Sequence, residues 1–198
     1  MPSSFALSEI RIAAVVLAGG QGLRMGNLDK GLVCFEGEPM ISWALKCLGP
    51  SVEKILINCN RNFDLYQAYG YELVQDELDD FQGPLVGIYA AMAKLDTEYT
   101  HLLVLPCDTP LIDQKLLKRL ISAVSGDRLA IHVLQTNEQP QFLHAVIPMI
   151  YQHNLLQWLS GGERAVYKWY KSLPLKYVDV PTGLNKTLKN INTKHDLT

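Results

Sequence analysis

Continuous apolar runs alternate with amphipathic stretches along the first two thirds of the chain. Residues 12–17 (Ile-Ala-Ala-Val-Val-Leu) contain no polar side chain and are followed closely by Gly19-Gly20. A run of this length bounded by glycine predicts a strand buried on both faces. Residues 55–57 and 102–105 read the same way. Between these runs apolar side chains recur at helical spacing. Ile41, Ala44, Leu45 and Leu48 form one stripe; Leu85, Ile88, Tyr89 and Met92 form another. Leu117, Leu120, Ile121 and Val124 form a third, with Asp113 placed as its N-cap. Strands alternating with helices predict a parallel sheet covered on both faces.

The rhythm changes at about Leu129. Residues 130–134 and 142–147 are apolar and flank a polar loop, 135–141, that contains Pro140. An antiparallel pair added to the parallel sheet is expected there. Leu155, Leu156 and Leu159 open another helix, which Gly161-Gly162 interrupts and residues 164–171 resume. A last strand is expected at 175–180. The fold class is therefore α/β, a Rossmann-like, mostly parallel, three-layer sheet with an antiparallel addition. No repeat, low-complexity tract or Pro/Gly/Ser-rich linker divides the chain, so 1–198 reads as one domain with a first part of about 1–128 and a second of about 129–198.

Ligands of open parallel sheets sit beyond the carboxyl ends of the strands. Leu17 is followed by a glycine-rich loop, Ile57 by Asn58 and Asn60, Val74 by Asp76, and Leu105 by Pro106-Cys107-Asp108. Four strand ends thus bring polar or glycine-rich chemistry to one edge.

Composition narrows the ligand. A hydrophobic fraction of 48% and a charged fraction of 19% are those of an ordinary soluble protein. A net charge of −2 gives no bulk attraction to nucleic acid, so a compact anion held by a few placed groups is the better fit. Cys34, Cys47, Cys59 and Cys107 show no C-x-x-C spacing and read as reduced structural thiols. His101, His132, His144, His153 and His195 are scattered without H-E-x-x-H, which argues against a zinc site. Residues 1–10 carry no basic side chain, and the run at 12–18 is too short for a membrane span. A cytoplasmic protein is expected, with no membrane or nucleic-acid partner.

The segment from Leu17 through Ala18, Gly19, Gly20, Gly22, Arg24, Met25, Gly26 and Asp29 to Lys30 carries the most chemistry. Glycines let backbone amides approach a phosphate, and Arg24 and Lys30 add cationic donors. A dinucleotide fingerprint requires G-x-G-x-x-G opening a helix, but from Gly20 the spacing is G-x-G-x-x-x-G and no helical stripe starts before Met40. A Walker A loop requires Gly-Lys-Ser/Thr, whereas Lys30 stands between Asp29 and Gly31. The remaining readings are a phosphate-gripping loop of another kind and a long turn with incidental charges.

L-A-G-G-x-x-x-R-M-G-x-x-D-K resembles the signature loop of the bacterial molybdenum cofactor guanylyltransferases, within the wider nucleotidyltransferase superfamily. The resemblance continues through Asn58-Cys59-Asn60-Arg61, Asp76, Gly83-Pro84-Leu85-Val86-Gly87, Pro106-Cys107-Asp108-Thr109-Pro110 and Gly162-Glu163-Arg164 to Asn190-Ile191-Asn192-Thr193. Gly22 stands where the family commonly has a small hydroxyl residue, and Asn27 where a second glycine is frequent. The resemblance implies a nucleotide-diphospho-sugar transferase type of fold, with a nucleotide-binding first part and an acceptor-side second part. It implies transfer of GMP from GTP to a molybdopterin-type cofactor, with Mg²⁺ and release of pyrophosphate; a monomer is expected, although the sequence carries no feature that sets oligomeric state. Cofactor-biosynthesis proteins and molybdoenzyme chaperones are the implied protein partners. A CTP- or sugar-phosphate-using transferase and a non-catalytic nucleotide sensor stay open as alternatives.

Asp108 follows a buried strand and suits a hard divalent cation; the resemblance assigns it the same metal, and a turn aspartate is the plainer alternative. Lys30 suits the phosphates, with a solvated pair to Asp29 as the alternative. Arg24 suits substrate or pyrophosphate, or else a structural ion pair. Asp76 offers two carboxylate oxygens to the adjacent N1–H and N2–H₂ donors of guanine. The resemblance implies that Leu17, Ala18, Gly19, Lys30, Asn58, Asp76 and Asp108 line the GTP site, and Gly20 belongs to the same loop. Gly83 and Gly87 flank a helix start that could accept an anion, Gly83 on the nucleotide side and Gly87 on the acceptor side, or merely pack closely. Asn190 and Asn192 resemble acceptor-side contacts, and equally the N-cap region of a short terminal helix.

Overall fold

A computed structural model describes residues 9–19, 28–49, 51–76, 83–192 and 196. Gly20 and Arg24 lie outside the described residues. In chain order the first half comprises β1 (Ile12–Leu17), the short strands β2 (Cys34–Phe35) and β3 (Glu38–Pro39), α1 (Met40–Leu48), β4 (Lys54–Asn58), α2 (Phe63–Gln67), β5 (Glu72–Val74) and α3 (Pro84–Lys94). The second comprises β6 (His101–Pro106), α4 (Gln114–Ala123), β7 (Ile131–Thr136), β8 (Gln139–Pro148), α5 (Gln152–Ser160), α6 (Val166–Lys171) and β9 (Leu175–Asp179).

Seven strands form one sheet in the order β5-β4-β1-β6-β8-β7-β9, and β2 and β3 make a separate hairpin. The β5, β4, β1 and β6 strands are mutually parallel. Only β8 runs against its neighbours, because β9 pairs parallel to β7. The residues 1–128 and 129–198 thus contribute strands to a common sheet.

The side-chain period of two in β1 explains the three layers. Ala14 and Val16 face one core with Ile41, Leu45 and Leu48 of α1 and Leu116, Leu117 and Leu120 of α4. Val15 faces the other, with Leu85, Ile88 and Met92 of α3, Leu155 and Leu159 of α5, and Trp169 and Tyr170 of α6. Both faces of β1 are covered, which is why its sequence is apolar without alternation. Two of the three α6 aromatics are core: Trp169 and Tyr170 are fully buried, while Tyr167 is exposed.

Three departures from the sequence reading have local causes. The stretch 135–141 is mostly strand, since β7 and β8 pair as far as Thr136 opposite Gln139. The turn is only Asn137-Glu138, both left-handed with φ of 46° and 64°. A two-residue hairpin turn needs that conformation, and Asn-Glu disguises it because glycine is the usual second residue. The pairs next to the turn, Gln135 with Pro140 and Thr136 with Gln139, are half-buried or exposed, which is why this end of the strands is polar. Secondly, β2, β3 and α2 are too short to show a period. Thirdly, the β7–β8 register shifts between Val133 and Leu134, where 142–144 of β8 bulge out. Among the described residues no helix is long and apolar enough to cross a membrane.

Asp113 caps α4 as the sequence predicts, its Oδ1 accepting from the Lys115 amide at 2.7 Å. Asp113→Ala is expected to lower unfolding stability by about 1 kcal/mol in a denaturant titration. No change would mean that water replaces the cap at no cost.

Candidate active site

The register of the parallel strands sets the site. Leu17 lies opposite Asn58 of β4 on one side and Pro106 of β6 on the other, and Asn58 lies opposite Val74 of β5. Backbone bonds extend this row past the strand ends, from Ala18 N–H to the Asn58 carbonyl at 2.9 Å and from Cys107 N–H to the Leu17 carbonyl at 3.2 Å. The chain moves outward from β1 to β4 and β5, then returns to β6 on the other flank of β1. That reversal opens a crevice beyond the carboxyl ends of β1 and β6. Ala18, Gly19, Asn58, Asp76 and Asp108 therefore share one edge.

At the β4–β5 side, Asn58 donates from Nδ2 to Asp76 Oδ1 at 2.8 Å and to the Val74 carbonyl at 3.3 Å. Asn60 donates to Asp76 Oδ2 at 2.8 Å and accepts the Asp76 amide at 3.0 Å. Asn58 is buried, so its own two bonds satisfy an amide that water does not reach. A Cβ on Gly87 would stand 2.3 Å from Asn58 Oδ1. Only glycine lets α3 approach the Asn58 carboxamide this closely. The Gly87 position is buried, and close packing is its visible role. Gly83 precedes α3 with a φ of 110°, a backbone that side chains rarely adopt, and it is exposed.

At the β6 side, the Lys30 ammonium donates to Asp108 Oδ2 at 3.0 Å and to Asn192 Oδ1 at 2.5 Å. The Lys30 and Asp108 side chains are 20% and 17% exposed, so the pair is sheltered and still reachable from solvent. Ile191 anchors the terminal segment twice. Its N–H donates to the Asp108 carbonyl at 2.8 Å, and its side chain packs with Phe35 and Met40. Asn192 is thereby brought to Lys30, while Asn190 is exposed.

Asp29 is not the partner of Lys30. Its buried carboxylate accepts from the Tyr66 hydroxyl and from Asn62 Nδ2 at 2.9 Å, with Arg61 Nε at 3.6 Å. Gly31 makes room, since a Cβ there would stand 2.5 Å from the Tyr66 hydroxyl. This network pins the exit of the glycine loop to the segment after β4 and leaves Lys30 to face Asp108. The sequence reading missed it. The signal was present in Asp29 beside an intended phosphate lysine and in Tyr66 within a five-residue helix.

Next to Asp108, the buried Thr109 hydroxyl lies 3.0 Å from His144 Nε2. Burial pushes the His144 imidazole down to about 3, so it is neutral at pH 7. The same cause pushes the Cys59 thiol up to about 11 and Cys107 higher still, so neither is a thiolate nucleophile. Among the described residues no three His, Cys, Asp or Glu side chains gather as metal ligands. A single half-buried carboxylate just past a strand end suits a hard cation that takes its other oxygens from substrate and water.

Residues 14–175 match the family model described as the MobA-like NTP transferase domain. A protein of Ectopseudomonas mendocina (strain ymp) named molybdenum cofactor guanylyltransferase is 39% identical over 181 residues, covering 91% of this chain and 87% of that one. A structure of molybdopterin-guanine dinucleotide biosynthesis protein A from Archaeoglobus fulgidus superposes with a TM-score of 0.77 at 24% identity over 94% of both chains. A structure of 4-diphosphocytidyl-2C-methyl-D-erythritolsynthase from Anaerococcus prevotii DSM 20548 gives a TM-score of 0.71 at 12% identity, covering 95% of both chains. The last two establish the fold alone, and that fold is shared by proteins named for different nucleotides.

Gly87→Ala is expected to force Asn58 out of place. Overpacking of this kind costs about 1–3 kcal/mol of stability. Calorimetry should also show nucleoside triphosphate binding weakened by at least about tenfold, one hydrogen bond's worth or more. Unchanged binding would separate Asn58 from the nucleotide site.

Proposed function

The chain belongs to the MobA-like NTP transferase family, and from that premise we propose that it transfers GMP from GTP to the terminal phosphate of a molybdenum–molybdopterin cofactor, forming the guanine dinucleotide and releasing pyrophosphate. It is a nucleotidyltransferase. The observation that supports the finer reading is the contact of Lys30 with Asp108 at 3.0 Å, at the sheet edge that also carries Asp76. On this reading a cation for phosphates and a carboxylate for a metal stand together, and a second carboxylate, Asp76, reads the base.

In the proposed reaction an oxygen of the acceptor's terminal phosphate attacks the α-phosphorus of GTP. A new P–O–P linkage forms, and the bond from the α-phosphorus to the bridging oxygen of the β-phosphate breaks. Pyrophosphate departs with that electron pair. The protein's part in such a transfer is mainly positioning and charge neutralisation. The backbone of Ala18 and Gly19 lines the nucleotide, the Ala18 amide itself being held by the Asn58 carbonyl, and Leu17 ends the strand that presents them. Lys30 exchanges its bond to Asp108 for phosphate oxygens. Asp108 would hold a divalent cation, proposed as Mg²⁺, which would supply neutralisation of the phosphate charge and so favour the leaving pyrophosphate. Asp76 accepts N1–H and N2–H₂ of guanine. Asn192 bridges from the acceptor side to Lys30. Gly20 and Arg24, outside the described residues, complete the loop in this proposal, Arg24 as a contact to substrate or pyrophosphate. Gly83 contributes the helix start, and Asn190 an exposed acceptor-side contact.

The test is pyrophosphate release over GTP, ATP and CTP with a molybdopterin-type acceptor, where GTP alone should support rapid turnover. Release with CTP and a sugar phosphate would move the enzyme to another branch. Asp108→Ala is expected to cut turnover by at least ~10²-fold, the scale of one lost transition-state charge contact. Near-normal turnover removes Asp108 from the mechanism. Asp76→Asn should abolish most of the preference for GTP over ATP, because its amide offers one acceptor where guanine needs two. A preference kept at full strength overturns the base-reading role.

A further inference from the structure

A carboxylate that reads guanine must lie in the plane of the base. Two parallel hydrogen bonds, from N1–H and N2–H₂ to the two oxygens, weaken steeply as the plane turns. Asp76 sits at a strand end, half-buried, where an aspartate has free rotation unless something fixes it. What fixes it is chiefly Asn60. One carboxamide grips Asp76 at two points, its Nδ2 on Oδ2 at 2.8 Å and its Oδ1 on the Asp76 amide at 3.0 Å. Asn58 holds the other oxygen, Oδ1, at 2.8 Å. With the backbone amide and both oxygens engaged, the carboxylate has neither a free side-chain torsion nor a free plane.

The clamp leaves acceptor capacity for a ligand. An ionised carboxylate offers about four lone-pair sites, and the two asparagines use one on each oxygen. Asn60 also touches the backbone that a nucleotide would follow, since a Cβ on Gly19 would stand 2.9 Å from its Nδ2. Asn60 is itself exposed, so its bonds bring little folding stability. Two reciprocal bonds at an exposed site make better sense as orientation of Asp76 than as scaffold.

We propose that Asn60 is a specificity-determining positioning residue, which selects guanine over adenine by holding the plane of the Asp76 carboxylate. This rests on the base-reading role given to Asp76 above. Asn60 touches Asp76 rather than the base. Removing it therefore lowers discrimination without changing how the triphosphate is held.

The experiment is calorimetric binding of GTP, ITP and ATP with Mg²⁺ to the full chain and to Asn60→Ala, Asn60→Asp and Asp76→Asn. ITP keeps N1–H and lacks the N2 amino group. Asn60→Ala is expected to lower the GTP-to-ATP affinity ratio by at least about tenfold, with ATP affinity within about twofold of the parent. The GTP-to-ITP ratio falls with it. Asn60→Asp, which faces Asp76 with a second carboxylate, is expected to lower both ratios at least as far. Melting temperatures stay within about 2 °C of the parent for Asn60→Ala, because the site is exposed. If Asp76→Asn loses the preference while Asn60→Ala keeps it, the clamp is irrelevant and the base reading stands. If Asp76→Asn keeps the preference, the base reading fails and the inference with it. If Asn60→Ala weakens GTP and ATP equally, Asn60 serves the Gly19 backbone and its specificity role is overturned.

Discussion

The contact of the Lys30 ammonium with the Asp108 carboxylate and the Asn192 carboxamide joins three segments that are far apart in the chain. Lys30 closes the glycine loop, Asp108 follows the central strand β6, and Asn192 belongs to the terminal segment. A sheltered ammonium needs partners, and in the proposed reaction a metal-bound triphosphate would replace them. Lys30 can trade a carboxylate oxygen for phosphate oxygens, and Asp108 can trade the ammonium for a cation. The exchange conserves charge pairing, so binding leaves no buried charge uncompensated. Dependence on this contact explains why residues distant in sequence must be positioned together.

The positioning is done by ordinary fold physics. Register aligns Val74, Asn58, Leu17 and Pro106 across four parallel strands, so the residues just beyond them share an edge. Bonds from Tyr66 and Asn62 fix the buried Asp29, and Asp29 fixes the chain that carries Lys30. Ile191 buries its side chain beside Phe35 and Met40 and so carries Asn192 inward. Glycines stand where two polar groups must meet without a side chain between them, at Gly31 against Tyr66 and at Gly87 against Asn58.

Much of this was legible in the sequence. The buried strands β1, β4 and β6 and the helices α1, α3 and α4 follow from apolar runs and stripes, because packing on two faces leaves a strong pattern. Short elements and the Asn137-Glu138 turn leave none. At the site, strand ends identify which residues share an edge, and the structure does bring Lys30 to Asp108 and Asn58 to Asp76. Strand ends do not reveal which carboxylate an amide will hold. The roles of Asp29, Asn60 and Tyr66 therefore emerge only from geometry, and the acceptor-side suggestion for Gly87 meets a glycine packed on Asn58.

The most direct measurement is a crystal structure of the chain with GTP and Mg²⁺. The account predicts one nucleotide along the β1–β6 crevice, with Lys30 Nζ on its phosphates and Asp108 on the metal, their direct bond of 3.0 Å exchanged for those contacts. GTP seated elsewhere, with the Lys30–Asp108–Asn192 contact intact, would contradict it.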